Sequence, residues 1–594
     1  MRKSIATVCL SGTLTEKLTA AARAGFDGVE IFENDLVAAP LSPEEIRARC
    51  ADLGLSIDLY QPMRDIEGVP EELFDRNLRR ARHKFDLMRR LGADTVLVCS
   101  NVSPQTLADD SLAARQLARL ADLAQDHGIR VAYEALAWGR HVSTYDHAWR
   151  IVEQADHPAL GVCLDSFHIL SRGSDPRGIE DIPGEKIFFL QLADAPLMAM
   201  DVLQWSRHYR CFPGQGGFDV TGLVRHVLNA GYDGPLSLEV FNDVFRQADA
   251  GRTAVDGLRS LLALEENAGV SPLPAPVVPS GVAFAELATG DPEPVGTLLT
   301  ALGFARTGRH RGKPVELWQQ GAARVLVNTG TSTRRSGTTL AAIGLETPDP
   351  AAAARRAEAL LAPALPKRRA VHDVPLEAIA APDGTELLHC ATDRPGLPSW
   401  TDDFEPLHDA PSPAGGITGI DHLALTQPWH HFDEAVLFHR AVLGLRPHDS
   451  VDLADPYGLF RSRALTAPHG GPRIVLNLAP GPDDASGSRP QHVAFAVEDI
   501  VTTARRVREE GAELLRIPAN YYDDLQARYE LPADELETYR DLGILYDRDE
   551  RGGEFRHCYT ATVGHVFLEL VQRTGGYGGY GAANAPVRLA AQRR

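Results

Sequence analysis

Cysteine is scarce in this chain and never paired in the way metal or redox chemistry requires. Seven residues, Cys9, Cys50, Cys99, Cys163, Cys211, Cys390 and Cys558, are scattered without a C-x-x-C spacing, which argues for reduced structural thiols and no disulfides. Long hydrophobic runs are also missing, and none is long enough to span a bilayer. The opening MRKSIATVCLSGTLTEKL has a basic start but a short, broken apolar stretch and no small-residue cleavage site, so it reads as no secretory leader. Basic residues are outnumbered, 60 against 80 acidic, for a formal charge of −20. That balance disfavours nucleic acid and anionic membranes as partners and leaves small molecules. A cytoplasmic protein is expected.

What is present is an alternation. From residue 4 to about 265, short β-branched runs (IATVCL, GVEIFE, SIDLYQ, TVLVCS, RVAYEA, LGVCLD, KIFFLQLA, PLSLEV) alternate with amphipathic helical stretches. Eight such repeats predict a parallel (β/α)8 barrel of the TIM type, with its site at the C-terminal ends of the strands. Residues 1–268 form this domain. The stretch SPLPAPVVPS breaks all periodicity, so 269–280 reads as a proline-rich linker. Beyond it, LLTALGF followed by PVELWQQ and ARVLVN is echoed by FHRAVLGL followed by IVLNLAP. This internal duplication predicts an α+β double module with halves at 281–410 and 411–594, separated by the loop-like DDFEPLHDAPSPAGG.

Four barrel strands each end near one oxygen-bearing side chain: Glu134, Asp165, Gln191 and Glu239. Three acids in one barrel mouth repel one another unless a divalent cation neutralises them, and carboxylates with an amide carbonyl are hard oxygen donors. Mg2+, Mn2+ or Co2+ suits such a set, and Ni2+ or Zn2+ could also bind. The alternative is four strand-end polar residues in a loop network. His168, three residues beyond Asp165, is placed to act as general base or acid. Arg210 and Arg64 are candidate clamps for a substrate carboxylate, because guanidinium bonds bidentately. Ser206 would bond substrate oxygens or cap a helix. Glu30 and Glu33 read equally well as orienting or catalytic. In the second module His422, His492 and Glu569 lie on strand-like runs, and two histidines with one carboxylate are the ligand set of non-haem Fe(II) oxygenases.

The order Glu, Asp, Gln, Glu, with EIFE after strand two, is similar to xylose-isomerase-like barrels. QPMRD, LDSFH, the WSRHYRCFPGQG loop and the fused second module make the whole chain resemble bacterial bifunctional 3-dehydroshikimate dehydratases. Residues 281–583 resemble the 4-hydroxyphenylpyruvate dioxygenases of the vicinal oxygen chelate superfamily, on GRHRGKPVELWQQG, IDHLAL, QHVAF, IPANYYDDLQAR, GILYDRD and FLELVQRTGGYGGYGAAN. The resemblance implies metal-dependent dehydration of 3-dehydroshikimate to protocatechuate in the barrel, in quinate and shikimate catabolism, and Fe2+ or Mg2+ in the second module. It also implies a possible homo-oligomer, since dioxygenase-like modules commonly pair. His310 matches the half that does not bind metal and stays outside the site. After GYGGYG, however, the chain reads AANAPVRLAAQRR, without the aromatic lid helix of the dioxygenases, so that module's substrate stays open. Two other readings remain: a sugar isomerase or epimerase barrel, and an oxygenase carried on a scaffold barrel.

Overall fold

The structure is a computed structural model that describes residues 1–330, 337–367, 370–408, 415–455, 458–478 and 491–592. It divides into two compact units, Met1–Leu273 and Pro274–Arg594.

The first unit is a closed barrel of eight strands in sequential order: β1 (Lys3–Ala6), β2 (Gly28–Phe32), β3 (Ser56–Met63), β4 (Thr95–Cys99), β5 (Arg130–Glu134), β6 (Leu160–Asp165), β7 (Ile187–Leu192) and β8 (Leu236–Leu238). Every neighbouring pair is parallel, β8 closing onto β1. β4, β6 and β7 are buried along their whole length, because one face meets the barrel interior and the other the surrounding helices. Inside, Leu59, Leu97, Cys99, Ala132, Cys163 and Phe189 pack together. The helices are set by local chemistry. Leu14–Ala24 starts on a Thr13/Glu16 capping box and stops at Gly25, whose φ of 104° is open to glycine without strain. Glu71–Leu91 buries Phe74, Ala81, Phe85 and Met88 at helical spacing, each large side chain stabilising by about 1.5–3 kcal/mol.

The proline-rich stretch from Pro274 onward belongs to the second unit, where the Pro274 carbonyl accepts a bond from Arg356 at 2.6 Å. Among the described residues that unit holds two nine-stranded sheets, one per half. In the second half, strand Ile417–Gln427 pairs antiparallel with Gln491–Val497, which runs parallel to Val566–Thr574, itself antiparallel to Glu554–Tyr559. The segment expected to be a loop between the halves departs from that reading: a 3-10 turn, Trp400–Asp403, leads into a strand, Phe404–Pro406, that pairs with Ala305–His310. Phe404 is its buried anchor, packed edge-on against Trp400. The rest of it, 409–414, lies outside the described residues. No helix among the described residues is long and apolar enough to cross a membrane.

Candidate functional site

The β5 to β8 ends bring the expected oxygen donors into one buried cluster. Glu134, Asp165, Gln191 and Glu239 are at most 4% exposed. Asp165 is doubly employed. Its Oδ1 caps the short helix Ser166–Ser171 through the amides of Phe167 (2.6 Å) and His168 (3.2 Å), which leaves Oδ2 aimed into the mouth. Glu134 accepts a weak bond from the Cys99 thiol on Oε2, while its buried Oε1 has no partner. An ionised oxygen orphaned in this way is costly, and it fits a cation that the protein itself does not supply. Gln191 donates its amide nitrogen to Glu30 at 2.6 Å, which fixes the amide with its carbonyl oxygen, a weak acceptor for the Cys163 thiol at 3.5 Å, as the end offered to the site. Glu30 also accepts from Gln61 (2.9 Å) and from Ser237. Glu30 thus ties Gln191 to Gln61 and Ser237. Glu33, by contrast, accepts from Tyr60 at 3.0 Å and pairs with Lys84.

Arg210 lies deeper than a clamp at an open mouth would. It is 1% exposed. Its Nη1 donates to Asp165 Oδ2 (2.8 Å), Glu239 Oε2 (3.0 Å) and the Glu239 carbonyl (3.2 Å), and Ser206 Oγ accepts from Nη2 (2.8 Å) and Nε (3.2 Å). Burial pushes Glu134 well above the carboxylate range, with Asp165 and Glu239 adding repulsion. Burial also lifts Glu239, but Arg210 restrains it, to about 7. Asp165 falls below its ordinary value because Arg210 and His168 outweigh its burial.

His168 accepts from the Ala137 amide on Nδ1 at 3.1 Å, so the neutral ring carries its hydrogen on Nε2. That Nε2–H lies 3.8 Å from both Glu134 Oε1 and Asp165 Oδ2. The 3.2 Å approach of Arg210 Nη2 to Nε2 is then a contact between two donors. Burial drives the His168 pKa down to about 3, with Asp165 opposing and Arg210 and Arg64 assisting. His168 therefore stands among the acids as a neutral hydrogen donor. Its Nε2 is no metal ligand in this tautomer, although Glu134, Asp165 and His168 gather closely enough to suggest one.

Arg64 faces the same mouth, where its charge is felt at His168, Cys99 and Arg207. The sequence reading passed over Arg207, which stacks over Trp138 at 5.9 Å and Phe241 at 5.5 Å. Its presence in the WSRHYRCF loop, beside Ser206 and one helical turn from Arg210, was the available signal. His208 bonds Asp243 near the surface. Tyr133 turns away from the mouth and donates to Glu67 at 3.0 Å.

In the second unit, strand register brings His422, His492 and Glu569 onto one inner face. Glu569 Oε2 lies 3.1 Å from Nε2 of each histidine, and the two Nε2 atoms are 3.3 Å apart. Glu569 Oε2 is buried and without a hydrogen-bond partner, and three converging lone-pair atoms of this kind fit a divalent ion. The surrounding groups orient them. His422 Nδ1 pairs with Asp421 at 2.8 Å, and Arg573 grips both Asp421 oxygens at 2.8 Å. His557 bonds Glu569 Oε1 at 2.7 Å and is met by Asn584 at 3.0 Å. Burial resists charge on His422, but Glu569 and Asp421 prevail and push it up to about 9, whereas burial takes His492 down to about 4. Asp421 and His557 escaped the sequence reading, although Asp421 directly precedes a ligand. His310 also meets two acids, Asp373 and Asp403, each at 3.8 Å, but its Nδ1 accepts from Gly312 and Lys313 pairs with Asp373. That cluster carries its own cation.

The architecture defines a class: a xylose isomerase-like barrel with a buried oxygen-rich mouth, joined to a glyoxalase-type double module with a His/His/Glu centre. Residues 18–264 match the xylose isomerase-like TIM barrel family, 274–389 the N-terminal hydroxyphenylpyruvate dioxygenase family, and 419–541 the glyoxalase, bleomycin resistance protein and dioxygenase superfamily. The 3-dehydroshikimate dehydratases of Pseudomonas putida and Pseudomonas aeruginosa are each 46% identical over 100% of this chain and 98% of theirs. A solved xylose isomerase-like TIM barrel/4-hydroxyphenylpyruvate dioxygenase fusion protein superposes with a TM-score of 0.91 at 44% identity, over 100% of this chain and 99% of the other. A 4-hydroxyphenylpyruvate dioxygenase from Pseudomonas aeruginosa is 28% identical over 52% of this chain and 92% of its own. The chain belongs to the family of 3-dehydroshikimate dehydratases that carry a fused dioxygenase-like module.

Proposed function

We propose that the barrel dehydrates 3-dehydroshikimate to protocatechuate and water with a divalent cation held by Glu134, Asp165, Gln191 and Glu239. The observation that carries this reading is the orphaned Glu134 Oε1 in a mouth where Glu134 gathers with Asp165 and Glu239, which share the buried Arg210. When bound, such an ion polarises the substrate ketone and its neighbouring hydroxyl and so stabilises negative charge that develops on the ketone oxygen.

The protein's own groups do the rest. Arg210 holds Asp165 and Glu239 in place and is itself held by Ser206. Its role becomes positional, and the substrate carboxylate passes to Arg64 and Arg207, cations at the mouth with no acid assigned to them. His168, neutral with its hydrogen on Nε2, hydrogen-bonds the leaving hydroxyl, which departs as water with the proton released from the ring. Trp138, in edge contact with the His168 ring at 5.1 Å, helps to exclude water from that exchange. Loss of water makes the ring aromatic, which drives the reaction forward. The reaction belongs to catabolism of quinate and shikimate.

Variants test the assignment. Glu134→Ala and Glu239→Ala abolish protocatechuate formation in folded protein, while Glu569→Ala leaves it intact. If Glu569→Ala removes the lyase activity, the reaction is assigned to the wrong module. A sugar isomerase or epimerase has no use for an anion clamp, so Arg64→Ala and Arg207→Ala raising KM for 3-dehydroshikimate separates the two readings.

A further inference from the structure

The C-terminal helix Ala585–Gln592, which lacks the aromatic residues of a dioxygenase lid, instead places a cation over the second metal centre. Arg588 is 6% exposed. Its guanidinium carbon lies 5.3 Å above the Phe567 ring and 5.7 Å from the Tyr559 ring, and Phe567 packs at 4.8 Å on the His492 imidazole. Nη1 donates to Gln592 at 2.7 Å, and among the described residues no carboxylate comes within ion-pair distance. A buried guanidinium without an acid is unfavourable unless a ligand supplies the anion. Strand register puts Tyr559 and Phe567 on the face that carries Glu569 and His492. Small side chains, Ala424, Ala464 and Val475, form a buried cluster with Tyr580 packed against it.

We infer that this centre receives a small planar chelating acid whose carboxylate pairs with Arg588, and that an aromatic vicinal diol with a ring carboxylate is the class it takes. The diol is the chelating edge, facing His422, His492 and Glu569. The carboxylate on the far edge meets the guanidinium, which Phe567 and Tyr559 hold by cation–π contact. A phenylpyruvate side chain with a neutral hydroxyphenyl end would leave Arg588 unpaired. The barrel's proposed product has the required chemistry, so the inference rests on the dehydration reading for the ligand's identity but not for the role of Arg588. The second unit would then bind what the first one makes.

The experiment uses the full chain in a Glu134→Ala background, which silences the barrel, loaded anaerobically with Co2+. Calorimetry follows three probes: 3,4-dihydroxybenzoate, catechol and 4-hydroxybenzoate. The Co2+ d–d spectrum reports whether the centre is intact in each Arg588 variant. The expected result is one site for 3,4-dihydroxybenzoate that shifts the Co2+ spectrum and is lost in Glu569→Ala. Arg588→Ala weakens it by about 10- to 100-fold, the worth of a charge-assisted hydrogen bond, whereas catechol affinity is unchanged and Arg588→Lys recovers part of the loss. Equal weakening of catechol and 3,4-dihydroxybenzoate by Arg588→Ala, or no binding of 3,4-dihydroxybenzoate to a chain whose Co2+ spectrum is intact, overturns the inference. The wild-type dehydratase assay is independent: an inactive barrel with this binding intact would count against the proposed reaction and leave the Arg588 site standing.

Discussion

Replacing Arg210 by methionine isolates the electrostatics of the barrel mouth. The side chain keeps its approximate length but loses the charge that meets Asp165 Oδ2 at 2.8 Å and Glu239 Oε2 at 3.0 Å, both among groups at most 6% exposed. Removing one partner of a buried ion pair costs about 3–5 kcal/mol, because the other charge stays buried and uncompensated. At about 2–4 °C per kcal/mol for a domain of this size, the barrel transition of EDTA-treated protein falls by about 6–20 °C. Mn2+ then answers three carboxylates with no competing guanidinium, so its stabilising shift is larger in Arg210→Met than in wild type. Scanning calorimetry with and without Mn2+ reads both quantities. Turnover drops even with Mn2+ saturating, since Asp165 and Glu239 lose the group that positions them. The reasoning fails if the stripped variant melts within about 3 °C of wild type and the Mn2+ shift is the same in both.

Glu30→Gln puts an amide donor among three donors and releases the Gln191 amide. Mn2+ affinity of the barrel should fall about 10- to 100-fold, and an unchanged titration would mean that Glu30 does not set the Gln191 carbonyl. Asp421→Asn loosens His422 and should weaken Co2+ binding in the second unit by a similar factor while the dehydratase rate stays constant; a drop in that rate contradicts independent centres. Glu67, buried and lifted to about 7, holds a proton in the folded state that the unfolded chain has released above its ordinary range. Its contribution is therefore full at acid pH and is lost as pH rises through about 7, a difference of roughly 3 kcal/mol. Glu67→Gln should flatten the fall in stability between pH 5 and 8 seen by urea denaturation, and an unaltered slope would assign that fall to other groups.

The barrel was legible because its signals are local and periodic. Runs such as TVLVCS and KIFFLQLA are buried on both faces, and the strand-end acids and amide stand where the fold puts active sites. The His/His/Glu centre was legible for the same reason: each ligand sits on a strand whose register is fixed by its neighbours. What did not show was side-chain direction in irregular segments. Nothing in WSRHYRCF says that Arg210 runs inward to Asp165 while Arg207 stacks on Trp138. The His168 tautomer depends on the Ala137 amide, which comes from a different strand's loop. The employment of Asp165 as a helix cap depends on the six helical residues Ser166–Ser171, whose extent the alternation of strands and helices does not fix. Arg588 was visible in AANAPVRLAAQRR only as the lack of an aromatic lid, since its burial against Tyr559 and Phe567 requires the whole inner face to be assembled.

The most direct measurement is an ultraviolet assay of metal-stripped full-length protein with 3-dehydroshikimate, with Mg2+, Mn2+ or Co2+ added back and protocatechuate absorbance followed. The account predicts no product without a divalent ion, restored product with one, and no restoration in Glu134→Ala. Full turnover by stripped protein, or no product with any ion in protein shown to be folded, would contradict it.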